Sequence, residues 1–541
     1  MDIAVIALAT LATIGRVLAL IAVSILAGWI LGYIANKSRR FENIYITFVN
    51  VLESIPVLGF LPVVLLIFIS GVGGSLGVEL AADFLVFDAI VWNIWIGIYQ
   101  AFKTVPGHLL EVADNYNLGV WGTIRNVYIP FSIPRVSSDI FPSFADALFY
   151  VMVSEVFAVG VTTFKVFGIG SLIVQATSQS DIESVLECLA VLAVGVVGIT
   201  LWFSSIARAA VARYGVNTSD EIKRPHWRLQ IGRWQVGRIP GLPVYRYSMR
   251  SRRPALPGFH FTLLHRRHNP SLDELVKYAG IIVAGIVVGL IGYSSIHLVM
   301  SVKASDWSRY FGQTPAILYA MGVDYVRVFA VTGISFAFAM FLGYYLVVHR
   351  RVGTISLPAI QSVSAFPAPA YFPLVFAAVA PFLFHLGSAA ATELLVLFLC
   401  FIGTFYYVFF GFWVGVKSIP TEFWEIMQNY NMGFFPKMRR IIIPATLPYL
   451  VTGLTSTINS AWGGLAVGEY WPHIYGNQSL EVNTGMMKII SMNLASGDPG
   501  LAAWTSLLFA IVVGVYAILF TRNLMDLARK RYVIEEGIYQ A

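Results

Sequence analysis

KTVPGHLLEVADNYNLGVWGTIRNVYIPFSIP (103–134) recurs without a gap, 314 residues later, as KSIPTEFWEIMQNYNMGFFPKMRRIIIPATLP (417–448). The register holds to 155 and 469, and about 14 of the 53 positions are identical. The shared residues shape a backbone: Pro106 and Pro420, Asn117 and Asn431, Gly119 and Gly433, Pro130 and Pro444, Pro134 and Pro448. Two carboxylate pairs join them, Glu111 with Glu425 and Glu155 with Glu469. A repeat this long divides the chain into two homologous halves before any other reading begins.

Composition places those halves in a membrane. Hydrophobic residues make up 57% of the 541 positions and charged ones 12%, with a mean hydropathy of +0.73, whereas soluble domains carry about 25% charged residues. Apolar runs long enough for a bilayer's hydrocarbon core lie near 3–36, 50–72, 86–103, 136–160 and 185–212. A second set lies near 279–301, 325–348, 357–380, 390–414, 448–470 and 502–525. The expectation is an all-α polytopic membrane protein with eleven spans, five in the first half and six in the second. The first apolar segment is too long for a cleaved signal and has no cleavage-like site.

Basic residues orient the chain. If 36–46 faces the cytoplasm, so do 103–135, 208–278, 349–356, 415–447 and the C-terminal tail, and these hold about 30 of the 36 Lys and Arg. That asymmetry is the positive-inside pattern. It accounts for the net charge of +7 without nucleic acid, and it puts the N-terminus outside and the C-terminus in the cytoplasm. Upstream the repeat continues at an offset of 311: Arg16 meets Arg327, and Pro56 and Pro62 meet Pro367 and Pro373. The span at 279–301 has no counterpart. Both loop copies face the same side, so the halves are parallel repeats, unlike the inverted repeats of many secondary transporters. Three regions follow: a first half at 1–212, a linker at 213–278 and a second half at 279–541. The linker is rich in Arg, Pro, Gly and aromatics and reads as a basic connector along the membrane surface. Cys188 and Cys400 fall in or near spans and imply neither a disulfide nor a metal framework.

The repeated loop, 104–134 and 418–448, predicts a short helix, a turn and a second short helix between two spans. Thr104 or Ser418 caps the first helix and Pro106 or Pro420 opens it. Asn117 and Asn431 suit a left-handed residue at its end. Pro130, Pro134, Pro444 and Pro448 should stop the second helix before the next span.

At this point the chain resembles the inner-membrane permease subunits of binding-protein-dependent ABC importers. Their loop signature is Glu-Ala-Ala, three residues, Gly, nine residues, Ile, one residue, Leu-Pro. Here Glu111, Ala113, Asn117, Val127, Ile129 and Pro130 occupy those places, and Glu425, Met427, Asn431, Ile441, Ile443 and Pro444 repeat them. Both copies depart alike: Asn replaces the turn Gly, and Gly119 and Gly433 lie two residues beyond it. The resemblance implies two type I permease domains, fused. It also implies that Glu111, Ala113, Asn117, Gly119 and Pro130, with Glu425, Met427, Asn431, Gly433 and Pro444, form coupling helices. These would dock two ATPase subunits at the cytoplasmic face. An extracytoplasmic solute-binding protein would deliver the cargo. ESIPVLGFLPVVLLIF (53–68), GIGSLIVQATSQSD (168–181) and SAWGGLAVGEYW (460–471) look like the nitrate, sulfonate and taurine branch. Fused permeases for ferric iron or thiamine are the nearest relatives outside it.

Pathway candidates carry two readings each. Glu155 and Glu469 end apolar helices at equivalent places, and acids in spans are costly and often functional. They either line or gate the pathway or hold the bundle together. Against an anionic cargo a bare carboxylate repels, which favours gating or structure. Arg16 and Arg327 either neutralise an anion or pair with Glu155 and Glu469. Pro56, Pro62, Pro367 and Pro373 either free backbone groups towards a pore or are packing kinks. Trp462 faces Leu148 in the repeat, so any cavity it lines is asymmetric. No Gly-x4-Gly-Lys-Ser/Thr loop, His-Glu-x-x-His or Cys-x-x-Cys occurs, so the chain is read as a transport subunit with no catalytic residues, metal or cofactor, powered by a separate ATPase. The rival class is an ion-coupled carrier or channel.

Overall fold

A computed structural model describes residues 1–54, 57, 64, 67–68, 71–159, 162–214, 303–417 and 419–516. Among them are eight helices apolar and long enough to cross a membrane, and a bent pair, Val120–Ser137 with Asp139–Ser154, that makes a ninth. These nine account for every predicted span except 50–72, mostly outside the described residues, and 279–301, wholly outside them. The linker beyond Tyr214, Pro56 and Pro62 also lie outside.

The first half runs α1 (Ile3–Lys37), α2 (Arg39–Ser54), α3 (Gly74–Lys103), α4 (Gly107–Asn115), α5 (Val120–Thr123), α6 (Ile129–Ser154), β1 (Val156–Val159), β2 (Thr162–Lys165), α7 (Ile169–Ser178) and α8 (Ile182–Tyr214). The second half repeats the order with α9 (Ala304–Val348), α10 (Arg350–Ala365), α11 (Ala368–Leu383), α12 (Ser388–Lys417), α13 (Thr421–Asn429), α14 (Phe434–Lys437), α15 (Ile443–Gly468), β3 (Tyr470–Tyr475), β4 (Gln478–Glu481), α16 (Met486–Ala495) and α17 (Pro499–Tyr516). In each half a long first helix packs against an antiparallel pair, α1 on α3 and α6, α9 on α12 and α15. Small residues set the approach in the second pair. A Cβ on Gly453 would lie 2.8 Å from the Val408 Cα, and one on Gly411 would lie 2.9 Å from the Tyr449 carbonyl oxygen, the close backbone contact that membrane helices use in place of hydrophobic exclusion.

Three expectations change. The prolines do not stop the second loop helix. Ile124–Tyr128 and Met438–Ile442 are π turns that carry α5 into α6 and α14 towards α15, with Pro130 and Pro444 in the first turn beyond. A wider turn gives the ring the space that an α-turn's carbonyl would occupy, and the missing N–H is absorbed where the ladder is already shifted. Thr104 does not cap α4 either. Its hydroxyl donates back to the Gln100 and Ala101 carbonyls, and Pro106 holds the N-cap position. The all-α reading gains two small antiparallel hairpins, β1–β2 and β3–β4.

A difference between the halves also has a local cause. The first half's span bends by 56° between Ser137 and Asp139. Pro142 lies four residues beyond Ser138, where its ring displaces a helical carbonyl. The second half has Ser456 there and runs from Phe434 to Gly468 as one span without such a bend.

On the face opposite the repeated loops the halves interlock. The turn after β3 docks on the end of α7: the Gly476 N–H donates to the Thr177 carbonyl at 2.8 Å and the Tyr475 hydroxyl to the Ser180 carbonyl at 3.3 Å. Reciprocally, β1 packs against α16.

Candidate functional site

The two loops are built alike. Asn117 and Asn431 take φ of 50° and 47°, left-handed values that Asn tolerates better than most side chains. The following N–H groups, of Leu118 and Met432, close onto the Ala113 and Met427 carbonyls at 3.0 and 3.1 Å. Ala113 and Met427, each 1% exposed, peg the loop to the bundle. Gly119 and Gly433 cap the second helix. Glu111 and Glu425 project outward. Beside them stand large apolar side chains in matched pairs: Val112 with Ile426, Tyr116 with Tyr430, Trp121 with Phe435. Tyr116 is 76% exposed and Tyr430 79%. Exposed aromatic surface repeated in this way is what an interface presents before its partner arrives. Sequence reasoning missed these pairs, although Tyr116 and Tyr430 are identical in the repeat.

Near the same face, Lys103 at the end of α3 bonds Glu42 at 2.7 Å. Hydrogen bonds from Lys103 and Tyr99 hold the Glu42 carboxyl below its usual range.

At the opposite face each half carries a charge clamp. Arg16 on α1 reaches Glu79 at 3.0 Å, Asp83 at 3.1 Å and Glu155 at 3.0 Å. Arg327 on α9 reaches Glu393 at 2.5 Å, Asp324 at 2.8 Å and Glu469 at 3.0 Å. Each clamp therefore joins the three packed helices of its half. Glu155 is also held by the Thr13 hydroxyl at 2.6 Å and the Gly170 N–H at 2.7 Å, and Glu469 by the Lys488 N–H at 3.0 Å. Glycine is required beside both acids: a Cβ on Gly168 would fall 2.0 Å from Glu155 Oε1, and one on Gly485 would fall 2.1 Å from Glu469 Oε2. In the repeat Thr13 is replaced by Asp324, whose carboxylate accepts from the Met486 N–H at 2.8 Å and pairs with Arg327 at 2.8 Å.

Of the residues singled out in the sequence, Arg16 and Glu155 come together, as do Arg327 and Glu469. Glu79, Asp83, Asp324 and Glu393 were missed. Their signal was available, because Glu79 and Glu393 are charged residues in apolar helices at the repeat offset. Pro367 caps α11 after the break at Phe366, and Pro373 lies within that helix. Trp462 is 1% exposed and packs edge-on against Tyr325 and Phe509, with ring centroids 5.0 and 4.7 Å away. Among the described residues no cluster of His, Cys, Asp and Glu suits a metal ion.

Comparison with known proteins agrees with the repeat. The family described as the inner membrane component of binding-protein-dependent transport systems matches twice, over residues 24–216 and 335–532. A protein named as an ABC transporter permease in Methanocaldococcus jannaschii is 25% identical over 202 residues, 37% of this chain and 66% of its own length. The nitrate import permease protein NrtB of Leptolyngbya laminosa is 25% identical over 159 residues, 29% of this chain and 51% of its own. An aliphatic sulfonates transport permease protein, SsuC, of Bacillus subtilis is 24% identical over 112 residues, 21% of this chain and 37% of its own. The chain thus spans between about a third and two thirds of these relatives. No solved structure matches.

Proposed function

The chain belongs to the family of inner membrane components of binding-protein-dependent transport systems, and from that premise we propose that it is both permease halves of an ATP-driven importer in one polypeptide. The observation that carries the reading is the pair of matched loops. Each presents an outward Glu and an exposed apolar triad on the same face of the bundle. Two ATPase subunits dock there, one per loop, at the cytoplasmic side. A solute-binding protein meets the opposite face and hands over a small polar solute; nitrate and aliphatic sulfonates are the cargoes named for two relatives. The π turns join each docking helix covalently to a span, so displacement of the loop becomes displacement of α6 or α15. Arg16 and Arg327 hold each half rigid at the far end, which turns loop movement into movement of whole halves. The interlocked hairpins then act as the outer gate, closed in this conformation. An ion-coupled carrier would have no use for two matched docking loops.

The gate reading has a direct test. A Cβ on Gly476 would lie 3.8 Å from the Ser180 Cβ, within the span of a disulfide, and both native cysteines are buried. Oxidation of the double variant Ser180→Cys, Gly476→Cys is expected to stop ATP-driven uptake in vesicles, and reductant to restore it. Full uptake by the oxidised, fully cross-linked variant would show that this contact need not open.

A further inference from the structure

A second group of carboxylates lies at mid-span, away from the clamps, and on one half only. Asp88 on α3 and Asp139 and Asp146 on α6 have Ile402, Gly453 and Ser460 as repeat equivalents. The fold itself therefore does not need acids there. Along 74–102, 136–154, 388–416 and 443–468, the four helices of the two antiparallel pairs contain no Lys or Arg. Asp139 is met by Arg135 at 3.1 Å, but Asp146 has no cationic partner among the described residues. It accepts from the Asn93 side chain at 3.2 Å and, across the seam between halves, from the Tyr407 hydroxyl. Asn93 and Tyr407 are themselves repeat equivalents.

Three tyrosines lie near this carboxylate. Tyr406 lies within electrostatic reach of both Asp146 and Tyr150, and its ring is 4.3 Å from that of Tyr407. The Tyr150 hydroxyl rests against Gly463 of the other half. Independently, two polar atoms nearby lack partners. Ser143, fully buried, lies between Asp139 and Asp146 on the same stripe of α6, and Asp88, 7% exposed, acts electrostatically on Tyr150; neither Ser143 Oγ nor Asp88 Oδ2 has a hydrogen bond among the described residues. Uncompensated acids and orphaned polar atoms at this depth are costly and mark a ligand or ion path. A carboxylate without a cationic partner, with tyrosines beside it, is suited to a positive charge, through ion pairing and cation–π attraction together.

We propose that Asp146, with Tyr150, Tyr406 and Tyr407 around it, is a mid-membrane station that holds a cationic group, such as an ammonium, of the transported solute. Asn93 and Tyr407 satisfy the carboxylate while the station is empty and yield to the incoming donor. The inference rests on the importer reading and narrows its cargo: a bare inorganic anion is repelled here. The test is equilibrium binding of labelled ethylammonium, without ATP, to the full transporter in lipid nanodiscs, with nitrate and ethanesulfonate as comparisons. Ethylammonium is expected to bind and the two anions not. Asp146→Asn, close to isosteric, should weaken ethylammonium by about 30-fold or more, as for removal of one member of a buried charge pair. Tyr407→Phe, which frees the carboxylate of a competing donor, should keep or tighten it. Equal binding by wild type and Asp146→Asn, or preference for either anion, overturns the station. Failure of the importer reading would show elsewhere, as absence of ATPase subunits from the purified complex, and would leave this binding result standing.

Discussion

Arg327→Met destabilises the second half by about 3–5 kcal/mol, the range found when one partner of a buried ion pair is removed. The guanidinium is 5% exposed and faces Asp324 and Glu469, both fully buried, together with Glu393. Without it, acids that cannot reach water lose their only countercharge among the described residues. Methionine keeps the volume, so the loss is electrostatic rather than a cavity. Resistance of the purified chain to SDS-induced unfolding measures it. Adding Asp324→Asn and Glu469→Gln should recover part of the stability, because the two buried uncompensated charges are then removed. A chain of normal stability but altered uptake would instead make Arg327 a pathway residue.

The second large effect falls on the loops. Tyr116→Ala with Tyr430→Ala should weaken ATPase binding by about 2 kcal/mol or more per loop, the scale of an aromatic hot spot at an interface. Both side chains are more than three-quarters exposed, so truncation removes no packing from the chain itself. Stability should be unchanged while affinity for the ATPase, measured by titration in nanodiscs, falls by roughly 30-fold or more. Loss of stability with unchanged affinity would mean that these rings serve the membrane protein and not its partner.

Much of this was legible in the sequence, and particular residues show why. Asn117 and Asn431 stand where the family's signature has Gly, and that substitution read correctly as a positive-φ turn, because backbone strain restricts which side chains can occur there. The repeat offset matched Arg16 with Arg327 and Glu155 with Glu469, and the structure joins Arg16 to Glu155 and Arg327 to Glu469. The remaining acids of the clamps come from different helices, and which faces of α1, α3 and α6 meet is decided by packing that hydropathy does not encode. Strand β1 was absorbed into the apolar run at 136–160, because four residues such as Val156–Val159 are too few for a period to register. The prolines misled for a different reason. Pro130 and Pro444 break an α-helix, but a π turn one step earlier lets the chain pass, and such a turn has no signature in composition. Asp146 was overlooked because its repeat equivalent is Ser460, and a search guided by symmetry finds what the halves share.

Native mass spectrometry of the complex captured on the tagged chain from its own membranes tests the central claim most directly. The account predicts one copy of this chain with two copies of an ATPase subunit, and loss of both when Glu111→Arg and Glu425→Arg are combined. A chain that emerges without any ATPase and still moves solute in vesicles would contradict it.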